Sequence, residues 1–228
     1  MSTAAPAPPP GGVRPPATTW ETLCQVQSLA QRIQTMLPSE PARGHVVGVT
    51  SCSRQEGVSV VAGNLAMCAS DVYQGRVLLI DANPQHASVA SRFGVRRTPG
   101  LIDCLAGQST PSECLVGTPH SNLCVLPAGA SVKPPARCSD ERARELFEQL
   151  RHDFALIVVD LPPAGELDET LLASQLVDGF LLVLEAERVR RQVAQRVKRQ
   201  FEQANARLLG VVLNKRNNHI PEWLYRRL

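Results

Sequence analysis

Short, largely apolar runs alternate along this chain with longer segments whose apolar residues recur at helical spacing. An apolar run that lacks a polar face is typical of a strand buried on both sides. The runs of this kind are Val46–Ser51, Arg76–Ile80, Leu123–Leu126, Phe154–Val159, Gly179–Leu184 and Leu208–Leu213. They predict a doubly wound α/β domain, in which a parallel sheet carries helices on both faces.

The segments around these runs define the predicted helices and the domain bounds. An amphipathic helix, Thr19–Leu37, is predicted before the first strand. It must pack outside the central α/β unit or against another subunit. The predicted domain covers residues 19–216, between a disordered Pro-rich tail at residues 1–18 and a tail or short helix at residues 217–228. The helices predicted between strands are Gly57–Asp71, Ser88–Phe93, Leu101–Ala106, Asp140–His152, Glu166–Leu176 and Val189–Ala204.

Composition narrows the classes of function. With 228 residues, 43% hydrophobic and 20% charged, the chain is a globular protein of ordinary size. Its net charge of +3 is too small to indicate a nucleic-acid partner, and none is expected. The seven cysteines include no C-x-x-C pair, so reduced thiols are expected rather than zinc or disulfides. No secretory signal pattern or membrane-length apolar run is present, which predicts a cytoplasmic protein.

A loop and a helix follow the first predicted strand, within Val46–Ala66. This layout is typical of a phosphate-binding loop, whose backbone N–H groups hold an anion at a helix N-terminus. The pattern G-x-x-x-x-G-K-[ST] would place its last three residues at positions 57, 58 and 59. The chain has Cys52, Gly57, Val58 and Ser59 at the four defining positions, so the loop is predicted without its lysine.

Two predicted strands are each followed directly by an aspartate, Asp81 and Asp160. The carboxyl ends of parallel strands meet at one edge of a sheet, so both carboxylates are expected beside the loop. Together with Ser59 they could hold a nucleotide-bound Mg²⁺, with one carboxylate orienting the attacking group. The alternatives are structural: the aspartates could cap turns, Ser59 could bond its own backbone, and Cys52 could be an inert packed thiol.

Four stretches resemble the cytoplasmic domain of bacterial tyrosine kinases of capsule and exopolysaccharide synthesis. They are VVGVTSCSRQEGVSVVAGNLA, VLLIDANPQHASVASRFGVRRTPGLIDCLAG, FALIVVDLPPA and LLGVVLNK, and the resemblance covers about residues 20 to 215. The resemblance implies a fold of P-loop NTPase type, of the MinD/ParA-like branch. It also implies Mg-ATP or Mg-ADP as cofactor, if the chain binds one at all.

The resemblance also implies roles for individual residues. Asp81 would serve the metal and catalysis, Ser59 and Asp160 would serve the metal, and Tyr225 would be the phosphoacceptor. Tyr73, the other tyrosine, is expected to pack beside the first helix. The implied nucleotide-binding residues are Arg54, Gln55, Glu56, Gly57, Val58, Ser59, Val60 and Asn214.

The chain departs from the family pattern where the chemistry would take place. An assembly motif E-x-x-R-x-x-R lacks both arginines here, and the tyrosine-rich tail is missing. Gln85 and His86 stand where basic residues are common, and Arg54 is the candidate replacement for the lost lysine charge. Val58 replaces the lysine, and Val60 replaces a threonine. Gln55 replaces a loop glycine, and Asn83 replaces the second acid of an Asp-Ala-Asp motif.

These departures favour a non-catalytic or nearly inactive relative, which would regulate or scaffold beside a membrane-spanning polysaccharide co-polymerase. Two alternatives stay open: an active ATP-dependent tyrosine kinase or ATPase with an atypical loop, and a ParA/MinD-like positioning or membrane-associated module. The basic helix at 188–199 would favour peripheral contact with the inner face of the membrane, although a solvated face is the default. A homo-oligomer is a further expectation.

Overall fold

The computed structural model describes residues 20–37, 43–129, 140–166 and 176–215. Within them the strands are β1 (His45–Ser51), β2 (Val77–Asp81), β3 (Val116–Gly117), β4 (Leu123–Leu126), β5 (Leu156–Asp160), β6 (Gly179–Glu185) and β7 (Leu208–Asn214). They form one sheet in the order β3-β4-β2-β5-β1-β6-β7. All neighbours are parallel except β3 and β4, which are antiparallel. The predicted doubly wound fold is therefore confirmed, with β1 between β5 and β6.

The helices are α1 (Trp20–Met36), α2 (Val58–Val72), α3 (Val89–Phe93), α4 (Leu101–Leu105), α5 (Pro111–Cys114), α6 (Asp140–Asp153) and α7 (Arg191–Gln203). A 3-10 turn covers Pro84–His86. The predicted elements in the described ranges are confirmed with bounds moved by one or two residues, whereas α5, β3 and the 3-10 turn were not predicted. The predicted helix Glu166–Leu176 and both tails fall largely or wholly outside the described residues. None of the helices in the described ranges combines the length and apolar character that a bilayer span requires.

Each face of the sheet carries its own apolar core. Successive side chains of a strand point to opposite faces, so Val47 and Val49 of β1 join one core and Val46 joins the other. Helices α1, α2 and α3 cover the first core, and α4, α5, α6 and α7 cover the second. The cores are mainly aliphatic, with one aromatic pair, Phe180 and Phe201, whose ring centroids are 4.9 Å apart.

Helix α1 packs on α2 and completes the first core. Ala30, Ile33 and Leu37 are at most 4% exposed, in agreement with the predicted apolar stripe. Tyr73 is buried beside α1, as predicted, and its hydroxyl donates to the carbonyl oxygen of Ala30 at 3.4 Å. Helix α1 was predicted to pack either outside the central α/β unit or against another subunit. Within this chain it packs outside the central unit, on α2.

A buried ion pair joins the end of α6 to the start of β6. The Arg151 side chain is 5% exposed, and its two terminal nitrogens lie 2.6 and 2.9 Å from the carboxylate oxygens of Asp178. The same guanidinium donates to the carbonyl oxygens of Gly44 and Leu176, while Asp178 accepts the N–H of Val46. This network fixes the amino-terminal edge of the sheet, at the opposite end of the strands from the predicted site.

We expect Arg151→Met to lower the free energy of unfolding by about 2–4 kcal/mol, because it leaves the Asp178 carboxylate and two carbonyl groups without their partner. Urea unfolding followed by circular dichroism measures the change. Lys198→Met is the matched control, since Lys198 and Glu202 form a surface pair with side chains 62% and 60% exposed. Such pairs contribute about 0–1 kcal/mol, so equal losses in the two variants would contradict the prediction.

Candidate functional site

Two carboxylates lie side by side at the carboxyl edge of the sheet. Asp81 ends β2 and Asp160 ends β5, and the parallel register pairs the two residues directly. Both are buried, with 0% and 1% of their surface exposed. Two neighbouring carboxylates in the interior are costly to ionise together, so the surrounding groups must compensate for the charge or hold a proton.

Asp81 is compensated by backbone N–H groups. Its carboxylate accepts hydrogen bonds from the N–H groups of Asn83, Ser88 and Val89 at 3.1 to 3.2 Å. Burial raises the pKa of Asp81, and these three donors, together with the more distant charge of Arg97, offset part of the rise. The carboxylate therefore closes the turn after β2 and caps α3, which is the structural alternative considered from the sequence.

Asp160 has no such compensation. Neither of its carboxylate oxygens makes a hydrogen bond within the described part of the chain. Burial, with a smaller contribution from the charge of Asp81, raises the pKa of Asp160 to about 7, although the nearby Ser59 hydroxyl and Arg92 guanidinium act in the opposite direction. A buried carboxylate without partners is a group that a cation or a water molecule would complete.

The loop between β1 and α2 has the backbone shape of an anion-binding loop. Gln55 and Gly57 both adopt positive φ, at 68° and 91°. The substitution of glycine by Gln55 therefore falls on a left-handed position, where a side chain costs about 1–2 kcal/mol. A Cβ on Gly57 would also meet the Asn214 side-chain nitrogen, so a larger residue here would displace Asn214 from the loop.

The end of β7 holds this loop from one side. Asn214 Nδ2 donates to the carbonyl oxygen of Glu56 at 2.8 Å, and Lys215 Nζ donates to that of Gln55 at 2.6 Å. Lys215 also pairs with Glu185 at 3.2 Å. In a trans peptide the C=O and the following N–H point in opposite directions, so these contacts turn the N–H groups of Glu56 and Gly57 away from β7.

The N-terminus of α2 has no side-chain hydrogen bond at its cap and no acidic residue in its first turn. The first N–H groups of a helix lack intrahelical acceptors and carry partial positive charge, so the first turn around Val58 and Ser59 is suited to an anion. Val58 occupies the first helical position, where the motif would have lysine.

A cavity of about 450 Å³ opens in front of the loop. Its volume is in the range of small-molecule sites. Asn83, the replacement for the second acid, is one of the lining residues, and so is His86. The full lining set is Ser51, Arg54, Gln55, Gly57, Val58, Ser59, Val60, Asn83, His86, Ser88, Arg92, Leu161 and Pro163.

Arg54, the predicted replacement for the lysine charge, is engaged with neighbouring side chains. Its Nε lies 2.5 Å from Oε1 of Glu166, and its terminal nitrogens lie 3.0 Å from Nε2 of His86 and 3.4 Å from Oε1 of Gln85. The side chain is 53% exposed. Its charge is thus already paired, and its contacts do not support the predicted role.

Other predicted site residues lie around the cavity or outside the described residues. Glu56 is 1% exposed and does not line the cavity, and burial raises its pKa. Asn214, an implied nucleotide-binding residue, holds the loop through its hydrogen bond to the carbonyl oxygen of Glu56. Burial raises the pKa of the Cys52 thiol to about 11, which agrees with an inert packed cysteine. Tyr225 falls in the part of the chain that is not described.

Arg92, on α3, is a cavity-lining cation that the sequence reasoning missed. Its Nε is buried without a hydrogen-bond partner among the described residues. Burial lowers the pKa of Arg92, and attraction to Asp160 offsets part of that shift. The only local signal was an arginine within the short helix VASRF, and nothing in that pattern shows which way the side chain points.

Part of the site fits a magnesium ion bound together with phosphate groups. Mg²⁺ prefers oxygen ligands and usually takes one or two protein groups in addition to phosphates and waters. The Asp160 oxygens, without a partner in the described structure, and the nearby Ser59 hydroxyl fit this role. Asp81 fits it less well because three N–H groups already occupy its carboxylate. The described residues contain no cluster of three or more His, Cys, Asp or Glu that would hold a metal without such a ligand.

Comparison with known proteins places the chain among named kinases, although it matches no family model. It is 31% identical over 172 residues to the tyrosine-protein kinase CpsD of Streptococcus pneumoniae, covering 75% of each chain. It is 28% identical over 170 residues to the tyrosine-protein kinase YwqD of Bacillus subtilis, covering 74% of this chain and 71% of that one.

Solved structures show the same fold. The VpsO kinase domain superposes with a TM-score of 0.72 at 28% identity, covering 86% of this chain and 96% of that one. The kinase domain of the Escherichia coli tyrosine kinase ETK gives 0.75 at 22% identity, covering 88% and 79%. The septum site-determining protein MinD of Pyrococcus horikoshii, solved with Mg-ADP, gives 0.66 at 20% identity, covering 81% and 76%.

We expect Asp160→Asn to stabilise the ligand-free protein, and to do so more strongly at pH 8 than at pH 5. Folding raises the pKa of this carboxyl from 3.8 to about 7, so an ionised Asp160 costs stability that grows as the pH rises between these values. The amide removes that cost, and the gain in unfolding free energy should be about 2 kcal/mol larger at pH 8. Urea titrations at the two pH values measure it, and a gain that is equal or larger at pH 5 would contradict the prediction.

Proposed function

The chain belongs to the bacterial tyrosine-protein kinases of capsule and exopolysaccharide biosynthesis, and we propose that it acts there as a regulatory subunit with little or no phosphoryl transfer of its own. The observation that carries this proposal is Val58. The residue that opens α2 and lines the cavity is an apolar valine, at the position where the family pattern has lysine. The fold, the shape of the loop and the strand-terminal aspartates are retained around it.

The size of the lost interactions supports weak binding and slow chemistry. Loss of one charge-assisted hydrogen bond to a bound phosphate costs about 1.5–3 kcal/mol, which leaves measurable affinity. Loss of a preorganised donor to the transition state costs about 2.7–4 kcal/mol, or roughly 10²–10³ in rate. A kinase that has also replaced the second acid of its motif by Asn83 would lose more.

Contacts around the cavity also favour a closed, self-contained arrangement. Arg54 of the loop bonds Glu166 beyond β5 and His86 and Gln85 beyond β2, so it bridges the segments on either side. These side chains satisfy one another, and Gln85 and His86 stand where the family pattern commonly has basic residues. These contacts support a site that keeps the shape of a nucleotide pocket but has lost the charged groups of the family pattern.

We infer that the subunit works beside a membrane-spanning co-polymerase of polysaccharide synthesis, as the family resemblance implies, and that it can self-associate. A bound nucleotide would be Mg-ADP or Mg-ATP. The loop N–H groups would face its phosphates, while Ser59 and Asp160 would lie on the side of the metal.

Val58→Lys tests the proposal. We expect the native chain to release no phosphate from Mg-ATP above the background rate and to phosphorylate no tyrosine. The lysine variant should bind ADP more tightly, because it adds a charge-assisted contact. Isothermal titration calorimetry and a phosphate-release assay provide the two readouts, with Val58→Leu as the uncharged control. Micromolar ATP affinity together with steady turnover in the native chain would instead show an active kinase with an atypical loop.

A second candidate role, peripheral membrane contact, is favoured by the surface of α7. On the core-facing side of this helix Val197 and Phe201 are buried, whereas Val193 is 39% exposed. The side opposite the core carries exposed basic residues, and a cationic helix face is attracted to anionic lipid. These residues are Arg190, Arg191, Arg196, Lys198 and Arg199.

Co-sedimentation with vesicles tests this second role. We expect the full chain to pellet with vesicles that contain phosphatidylserine and to remain in solution with pure phosphatidylcholine. Charge reversal by Arg190→Glu and Arg191→Glu should abolish pelleting, because both side chains are exposed on the proposed face. The control pair Arg32→Glu and Arg96→Glu changes the net charge equally at exposed positions elsewhere. Equal loss in both pairs would contradict a specific role for α7.

A further inference from the structure

The cavity in front of the loop retains a positive charge, although the loop lysine is absent. Three cations lie on or near the loop in the described structure: Arg54, Lys215 and Arg92. Arg54 pairs with Glu166, and Lys215 bonds the carbonyl oxygen of Gln55 and the carboxylate of Glu185. Arg92 lines the cavity and has no salt bridge within 4 Å to any described residue. It is the cation whose donors remain available there.

Arg92 is also held in place by the fold. It lies on α3, which is capped by Asp81 through the N–H groups of Ser88 and Val89. Its stem packs on α2 at Gly63, where an added Cβ would lie 3.2 Å from the Cδ of the arginine. A glycine in a helix interior costs about 0.5–1 kcal/mol relative to alanine, and here it leaves the space in which the arginine stem lies.

Two polar groups on α3 and its cap, Arg92 Nε and the Ser88 hydroxyl, lack hydrogen-bond partners that a bound anion would provide. Both belong to cavity-lining residues and are buried without hydrogen bonds among the described residues. Burying an unpaired donor of a charged group is expensive, so such atoms usually have a ligand. Val58, Ser59 and Val60 of the α2 N-terminus line the same cavity. A phosphate there would be within the field of both the helix N-terminus and the guanidinium.

We propose that Arg92 takes over the phosphate-binding role of the missing loop lysine, so that the cavity binds a nucleoside diphosphate or triphosphate through a cation supplied by α3. This inference rests on the proposed function and deepens it, because it assigns a further binding residue of the same cavity. A guanidinium suits the task because it stays charged when buried and presents several donors to phosphate oxygens. In loops of this kind a lysine on α2 supplies the positive charge, whereas in this protein Arg92 on α3 supplies it.

Calorimetric titration of the full chain with ADP in the presence of Mg²⁺ is the first test. We expect Arg92→Met, which keeps the stem but removes the charge, to weaken ADP binding by about 10- to 100-fold. Arg92→Lys should stay within a few-fold of the native affinity. Arg96→Met is the matched control, since Arg96 is exposed, lies outside the cavity lining and has the same charge. It should bind ADP as the native chain does.

A double-variant cycle tests whether the arginine and the lysine have the same role. Adding Val58→Lys to Arg92→Met should restore ADP binding, and the gain should be larger than in the native background, because the two cations replace one another. Equal gains in the two backgrounds would show that Arg92 acts independently of the phosphate position, which overturns the inference.

The unmodified protein provides a readout that does not depend on folding of a variant. In ¹H–¹⁵N spectra of the arginine Nε–H groups, the Arg92 signal should shift when ADP is added, with assignment from Arg92→Lys. Native ADP affinity that survives Arg92→Met, an unshifted Arg92 signal at saturation, or no ADP binding by the native chain would each overturn the inference. None of these results depends on turnover, so the proposed lack of kinase activity stands or falls separately on phosphate release.

Discussion

Parallel pairing of β2 with β5 places Asp81 directly beside Asp160 in the protein interior. The rest of the site is arranged around this pair of like charges. Three N–H groups compensate Asp81, and in providing them the chain after β2 turns back and starts α3. Asp160 can bind a proton, and it lies in the field of Arg92, which is on α3. The register of β2 and β5 is therefore linked to the turn after β2 and to the position of Arg92. Among the described residues, Arg92 is the only lysine or arginine that lines the cavity without a salt bridge.

The sequence predicted the regular elements well because their physical cause is local. Strands such as Val77–Asp81, buried on both faces, leave a short apolar run that periodicity detects, and amphipathic helices leave their own spacing. What it missed depends on tertiary contacts. The two-residue strand Val116–Gly117 exists only because β4 lies beside it, and no pattern of that length is distinctive. The strand-terminal aspartates were found because strand ends of a parallel sheet share one edge.

The site itself was predictable in its backbone and less so in its charges. The loop was predicted between the first strand and the following helix, and it lies there with positive φ at Gln55 and Gly57. Arg54 seemed a suitable replacement cation because it is adjacent in sequence, but its charge is paired with Glu166, 112 residues away. Arg92 lies 34 residues beyond Val58, and only the packing of α3 on α2 brings it to the cavity. Charge placement of this kind follows from side-chain direction, which a single sequence does not encode in any short pattern.

The contacts from Asn214 and Lys215 to the loop carbonyl groups have a consequence for the order in which the protein forms during translation. The loop emerges from the ribosome before the two side chains that orient its carbonyl groups, which follow about 160 residues later. A nascent chain can therefore pair its first strands and bury part of both cores while the loop still lacks its support. Competence to hold an anion is then acquired only when β7 joins the sheet. In this fold the earliest synthesised part of the site is thus the last to reach its final shape.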